Sequence, residues 1–267
     1  MECANCKLVT HETDLREFID YKSGSMHDWA SGYGGTLDTP KEDVSRRLEA
    51  IKALASQKKI ISILDFGSGE GEMVSALSEI FKVSGLEPED NARERCLKQN
   101  AEIFASHEEI QKKNLTFDLV TLFHVVEHFY TPSLEMQRIF DLLNPGGYLI
   151  VETPNSQDAL LTRYKSVAFS EFTYWSHHPM LHSANSLSIM LEKTGFEIEN
   201  NTSVQRYGLA NHMFWLVNGQ PGGHVIWSDM FSHETESSYE NDLVNNGAAD
   251  TLWIVAKKPI IHPRSDN

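Results

Sequence analysis

The chain has 267 residues, 38 Asp and Glu against 23 Lys and Arg, and a formal net charge of −15. At roughly 150 residues per domain this is one large α/β domain or two smaller ones, and the acid surplus disfavours a long nucleic acid gripped through its phosphates. An apolar share of 40% and a charged share of 23% are those of an ordinary globular protein that needs no disulfides to hold a core.

Three cysteines, Cys3, Cys6 and Cys96, are too few for a disulfide framework and suit a reducing compartment. No basic segment runs into an apolar stretch at the start of the chain. The longest apolar runs, such as Leu119–Phe123, fall far short of the ~20 residues that span a bilayer. A cytoplasmic protein without a membrane partner is expected.

Residues 1–40 are polar and irregular, with Tyr21, Trp29, Tyr33, Gly34 and Gly35 interleaved, and read as an N-terminal arm. Pro40 and Lys41-Glu42-Asp43 open a helix in which Val44, Leu48, Ile51 and Leu54 recur at helical spacing. Apolar runs follow at Ile60–Phe66, Val83–Leu86, Ala101–Ala105, Phe117–Phe123 and Gly147–Val151. Helical stretches at 71–80, 89–99, 132–142 and 185–194 lie between or after them. This alternation predicts an α/β fold, a parallel sheet with helices on both faces. A strand near Glu197–Arg206, a long excursion rich in Asn, Gly and Ser, and a strand at Thr251–Lys257 close the chain. The domain spans 41–258 with an insertion at 207–248, and 259–267 is a tail.

The strongest local signal is Ile61-Ser62-Ile63-Leu64-Asp65-Phe66-Gly67-Ser68-Gly69-Glu70-Gly71. A buried strand ends in glycines that let the backbone approach a ligand at a helix N-terminus. Glu87, at the end of the next run, is placed to accept hydrogen bonds from ribose hydroxyls. A dinucleotide fingerprint would put its third glycine at position 72, which is Glu72.

The Asp-x-Gly-x-Gly-x-Gly spacing resembles motif I of class I S-adenosylmethionine (SAM) methyltransferases. Phe117-Asp118-Leu119-Val120-Thr121 with Glu127-His128, and Asn144-Pro145-Gly146-Gly147-Tyr148-Leu149-Ile150, are similar to that family's fourth strand and its turn into the fifth. The resemblance runs from Ile60 to Phe196. It implies a Rossmann-like seven-stranded sheet whose last strand is antiparallel. It also implies SAM held by Asp65, Gly67, Ser68, Gly69, Gly71, Glu87 and Phe123.

His124-Val125-Val126-Glu127-His128 places His124, Glu127 and His128 on one face of a helical turn. The same letters spell a zinc-peptidase pattern, which the methyltransferase context rejects. A second cluster, Tyr174-Trp175-Ser176-His177-His178-Pro179-Met180-Leu181-His182-Ser183, precedes a helix cap. It resembles the segment of sugar C-methyltransferases that carries their candidate base, which aligns with His178. In small-RNA 2′-O-methyltransferases a similar constellation binds a divalent metal. That resemblance implies a site of His124, Glu127, His128 and His178 for Mg²⁺ or Mn²⁺, with His124 where that family has Glu.

The expected catalytic residues are therefore His178, His128 and Glu127, acting as a base or through the metal. A structural role for His178, and a capping role for Glu127-His128, remain open. His11, His27, His107 and His182 read as surface residues. Cys3-x-x-Cys6 resembles the last piece of a zinc ribbon, and with two thiolates no zinc is expected.

The excursion after the sixth strand holds Arg206, Phe214, Trp215 and Trp227 among polar residues. It suits a small polar acceptor, a sugar or nucleotide sugar of surface-polysaccharide synthesis, or a subunit interface. The reaction expected is methylation of a hydroxyl. Carbon methylation of a keto sugar, methylation of a quinone precursor, and SAM binding without catalysis are the alternatives.

Overall fold

The computed structural model describes residues 1–11, 40–97, 101–175 and 177–260. The aromatic stretch Tyr21–Gly35 and His27, read above as part of an arm, and the tail from 261 onward lie outside the described residues.

Two short strands, β1 (Val9–Thr10) and, much later, β7 (Met180–Leu181), form an antiparallel pair of their own. The main chain of elements begins with α1 (Lys41–Gln57), β2 (Ser62–Phe66), α2 (Glu72–Ser78), β3 (Lys82–Leu86), α3 (Asp90–Cys96), β4 (Glu102–Phe104) and α4 (His107–Lys112). It continues through β5 (Phe117–Phe123), α5 (Pro132–Leu142), β6 (Leu143–Pro154), α6 (Ala159–Thr162) and α7 (Val167–Thr173). After β7 come α8 (Ala184–Thr194), β8 (Glu197–Val204), α9 (Leu209–Asn218), α10 (Gly223–Ile226), α11 (His233–Asn245) and β9 (Thr251–Lys257).

The large sheet has seven strands in the order β4-β3-β2-β5-β6-β9-β8. β2, β3, β4, β5 and β6 run parallel, and β9 is antiparallel to both β6 and β8. The expected α/β fold with its antiparallel last strand is therefore the one observed. The chain leaves β2 towards β3 and β4, then returns to β5 on the other side. This reversal opens a crevice at the carboxyl ends of β2 and β5, where sheets of this kind bind ligands.

Local chemistry sets the ends of these elements. Glu42 and Asp43 lie in the first turn of α1, where the helix dipole favours acids. α8 opens on a capping box of Ser183 and Ser186 and closes on Gly195 at φ +105°. Alternate residues of the central strands then feed two cores. Leu64, Val120, Leu122, Leu149 and Val151 pack towards α5 and α8. Ile63, Leu119, Ile150 and Trp253 pack towards α1 and α2.

Two expectations change. Asn144-Pro145-Gly146-Gly147 lies within β6, starting at Leu143, where the register against β5 slips between Phe117 and Leu119. Gly146 takes φ +80° there, and a Cβ on Gly147 would stand 2.9 Å from the Asn144 carbonyl. The glycines thus form a bulge that starts the strand. The excursion after β8 is helical. α9, α10 and α11 bury Phe214 and Trp215, with Trp215 edge-on to Phe169 and Phe214 edge-on to Trp227. No helix among the described residues is long and apolar enough to cross a membrane.

Candidate functional site

The loop from Gly67 to Gly71 turns tightly because three of its residues are left-handed: Gly67 at φ +78°, Gly69 at +53° and Gly71 at +93°. The amides of Gly67 and Ser68 both donate to the Leu86 carbonyl, which ties the loop to the end of β3. Close approach matters twice. A Cβ on Gly67 would lie 2.5 Å from Val125 Cγ2, and one on Gly85 would lie 2.7 Å from Ser68 Oγ. A Cβ on Gly69 would meet nothing within 4 Å, so the loop's middle faces open space, as a cradle for a ligand would.

Two buried carboxylates flank this loop. Asp65, at the end of β2, accepts a 2.7 Å bond from Thr121 Oγ1. Burial pushes its pKa up to about 6, against the pull of Thr121 and Arg47. Glu87 accepts from the Gly69 amide at 2.9 Å and from the Glu89 amide at 2.8 Å, and burial raises its pKa as well. Asp65, Gly67, Ser68, Gly69, Gly71 and Glu87 thus come together at the carboxyl ends of β2 and β3. Phe123, at the end of β5, stacks on Trp253 and lies under the Arg47 guanidinium, 4.5 Å from its ring centre.

Beyond β5 the chain breaks direction at His124, φ +58°, and makes a short 3₁₀ turn, Val126–His128. Glu127 is 1% exposed. Its Oε2 accepts from Thr153 Oγ1 at 2.9 Å. Its Oε1 is buried without a hydrogen bond and lies 3.3 Å from His124 Nδ1. Burial works against the Glu127 carboxylate, but His124 outweighs it and holds the pKa at about 2.

His128 and His178 complete the cluster. His128 Nδ1 is 2.6 Å from the His177 carbonyl, and His178 Nδ1 is 2.9 Å from the Thr173 carbonyl. A carbonyl only accepts, so both Nδ1 atoms carry the proton and both Nε2 atoms present a lone pair. Burial lowers both pKa values, that of His178 to about 3, which keeps the rings neutral at pH 7. Glu127, His128 and His178 each offer a ligand atom within 4.8 Å of the others'.

His124, expected as a fourth ligand, is outside that group. Its Nε2 lies 3.0 Å from Arg206 Nη1 and 3.4 Å from Glu152 Oε1. Burial and Arg206 oppose a charged His124, while Glu127 and Glu152 favour it and raise its pKa overall. A proton on Nε2 would nevertheless face the Arg206 donor head-on, so the contact itself is that of a neutral ring.

Sequence reasoning missed an ionic cluster beside this site. Arg47 donates to Glu152 Oε1 through Nε (3.1 Å) and Nη2 (2.6 Å), and Arg46 reaches Glu152 Oε2 at 2.8 Å. Arg206 donates to Asp43 Oδ2 through Nε (2.9 Å) and Nη2 (2.5 Å). Arg206, expected to face an acceptor, is thus turned towards α1 and His124. The available signal was Asp43, Arg47 and Ile51, four residues apart, which share the buried face of α1.

His182 was missed too. It is 2% exposed rather than on the surface, with Nδ1 against Ser186 Oγ and Nε2 buried without a partner. Burial drives its pKa down to about 4. The first residues of the chain cover this corner. Ser183 Oγ donates to the Cys6 carbonyl and Ser156 Oγ to that of Lys7, while the His11 amide donates to Pro179.

A protein family described as a methyltransferase domain matches residues 41–201. A probable S-adenosylmethionine-dependent methyltransferase of Mycolicibacterium smegmatis is 23% identical over 192 residues, covering 70% of this chain and 70% of that protein. A ubiquinone biosynthesis O-methyltransferase of Shewanella pealeana is 32% identical over 104 residues, only 35% of this chain and 43% of the relative. Among solved structures, a SAM-dependent methyltransferase from Archaeoglobus fulgidus is similar in fold, with a TM-score of 0.55 and 18% identity. That match covers 86% of this chain and 98% of the other.

Proposed function

The chain belongs to the methyltransferase-domain family, being matched by it over residues 41–201, and we propose that it methylates a hydroxyl of a small polar acceptor. The donor is SAM, and the acceptor class is a sugar or nucleotide-linked sugar such as surface-polysaccharide pathways handle. The observation that carries the hydroxyl reading is the pair of Nε2 lone pairs on His128 and His178 beside an ionised Glu127. A hydroxyl must lose its proton to become a good nucleophile, whereas a neutral amine already has its lone pair.

SAM supplies an activated methyl, so the work left to the protein is positioning and proton removal. Asp65, the Gly67–Gly71 backbone and Glu87 would hold the donor, with the cradle at Gly69 open to receive it. His178 Nε2 would take the hydroxyl proton. Its Nδ1–H bond to Thr173 holds the ring in the required tautomer. Glu127 would favour the imidazolium that forms, by Coulomb attraction in a buried site.

A metal-assisted form of the same reading is favoured by one observation: Glu127 offers a ligand atom within 4.8 Å of those of two imidazoles whose Nδ1–H groups are anchored on carbonyls. Anchored imidazoles of this kind make good metal ligands. Glu127, His128 and His178 would hold the ion, and this donor set suits Mn²⁺ better than Mg²⁺. A bound ion would lower the pKa of a coordinated hydroxyl.

The test is transfer of labelled methyl from SAM into a pool of nucleotide sugars, before and after chelator treatment. Label entering the pool with wild-type protein but not with His178→Gln supports the reading. No incorporation by wild-type protein opposes it. A rate unchanged by chelator counts against the metal.

A further inference from the structure

His124 occupies a backbone conformation that few non-glycine residues adopt, φ +58°. Its amide donates to the Glu152 carbonyl at 2.8 Å, which holds that conformation in place. The ring is held at both edges. Nε2 is 3.0 Å from Arg206 Nη1, and a guanidinium only donates. Nε2 therefore carries the lone pair and Nδ1 the proton. Nδ1 is the atom that stands 3.3 Å from Glu127 Oε1.

Arg206 is itself clamped. Asp43 on α1 takes its Nε and Nη2, and Asp250 takes its backbone amide at 2.9 Å. Glu152 Oε1, the other group near Nε2, is already engaged by two N–H groups of Arg47. The guanidinium is thus the one donor presented to His124 by these neighbours.

We propose that Arg206 is a positioning residue for methyl transfer: by fixing the tautomer of His124 it turns an N–H towards Glu127 and holds that carboxylate in place between His128 and His178. This role rests on the reading of Glu127, His128 and His178 given above. With the donor removed, the proton can move to Nε2, and Nδ1 would then turn a lone pair on the carboxylate. The same two contacts join the exit of β8 to the exit of β5.

The experiment uses the full chain with ¹⁵N-labelled histidine and bound S-adenosylhomocysteine. The His124 ring signals are assigned by their loss in His124→Gln. The expected wild-type ring has its proton on Nδ1. Arg206→Met shifts the ring towards the Nε2–H tautomer, and Arg206→Lys, which keeps a donor, retains Nδ1–H. Methyl transfer into the nucleotide-sugar pool falls about tenfold in Arg206→Met and less than about threefold in Arg206→Lys, with SAM affinity within about twofold of wild type.

A wild-type ring protonated on Nε2, or an Nδ1–H ring surviving in Arg206→Met, overturns the proposal. Loss of SAM binding in both variants also overturns it, since Arg206 would then serve the fold at large. A Glu127→Gln enzyme that transfers methyl at the wild-type rate overturns the underlying reading, whatever tautomer the spectra show.

Discussion

His128 and His178 come from segments fifty residues apart and meet with ring centres 4.9 Å from each other, each with its Nδ1 on a backbone carbonyl. Neither ring can turn over without losing that bond, so each Nε2 keeps a lone pair rather than a proton. A pair that served only to fill space would not need two anchored tautomers beside a buried carboxylate.

Replacing His178 by Asn removes the bare Nε2 while keeping a polar group of smaller size. Methyl transfer is expected to fall on the order of a hundredfold, the lower end of general-base effects. SAM affinity measured by calorimetry stays within about twofold. Equal losses in both would place His178 in donor binding instead.

Gly67→Ala brings a Cβ to 2.5 Å from Val125 Cγ2 at a residue with φ +78°. The loop must shift, and SAM binding is expected to weaken about tenfold or more. Adding Val125→Ala removes the clash but not the backbone strain, so the double variant recovers part of the affinity. Full recovery would show that the left-handed turn does not matter; no recovery would show that Val125 does not.

Asp65 has a pKa raised to about 6, with burial as the main cause. Above that pH it is ionised and attracts a cationic donor; below it the carboxyl is neutral. SAM affinity is therefore expected to hold steady from pH 7 down to about 6 and weaken below. Calorimetry at pH 5 and 7 tests this, and Asp65→Asn should flatten the profile at the weaker level. A wild-type profile flat across that range would remove Asp65 from the donor site.

Asp158 caps α6 by accepting from the Leu160 amide, and burial together with Asp250 lifts its pKa to about 8. The folded protein then binds a proton that the unfolded chain, near pKa 3.8, has lost. Wild-type stability contributed by this group falls as pH rises from about 4 to 8. Asp158→Asn keeps an accepting oxygen and removes the ionisation. Its unfolding free energy relative to wild type is expected to grow with pH, by an amount on the order of a few kcal/mol. Denaturant melts at pH 5 and 8.5 test it; a constant difference would contradict the assignment.

The sheet and the glycine loop were legible because they rest on local signals: apolar runs, turn residues, and glycines at set spacing. Glu127, His128 and His178 were legible through a resemblance that spans two distant segments. Arg46, Arg47, Asp43 and Glu152 were hidden, since charged residues on an amphipathic helix read as its solvent face unless their partners are known. Arg206 was read as facing an acceptor for the same reason. His182 was placed on the surface because nothing local shows that residues before Thr10 pack over it. Long-range pairing, invisible in a single sequence, decides each of these.

The most direct test of the account is to run the reaction with SAM carrying a ¹³C-methyl group, with the nucleotide-sugar pool as acceptor, and to read by NMR which atom the methyl carbon is bonded to in the product. The account predicts a methyl on oxygen, formed by wild-type protein and lost in His178→Asn. A methyl on carbon or nitrogen, or consumption of SAM at equal rates in the two proteins, would contradict it.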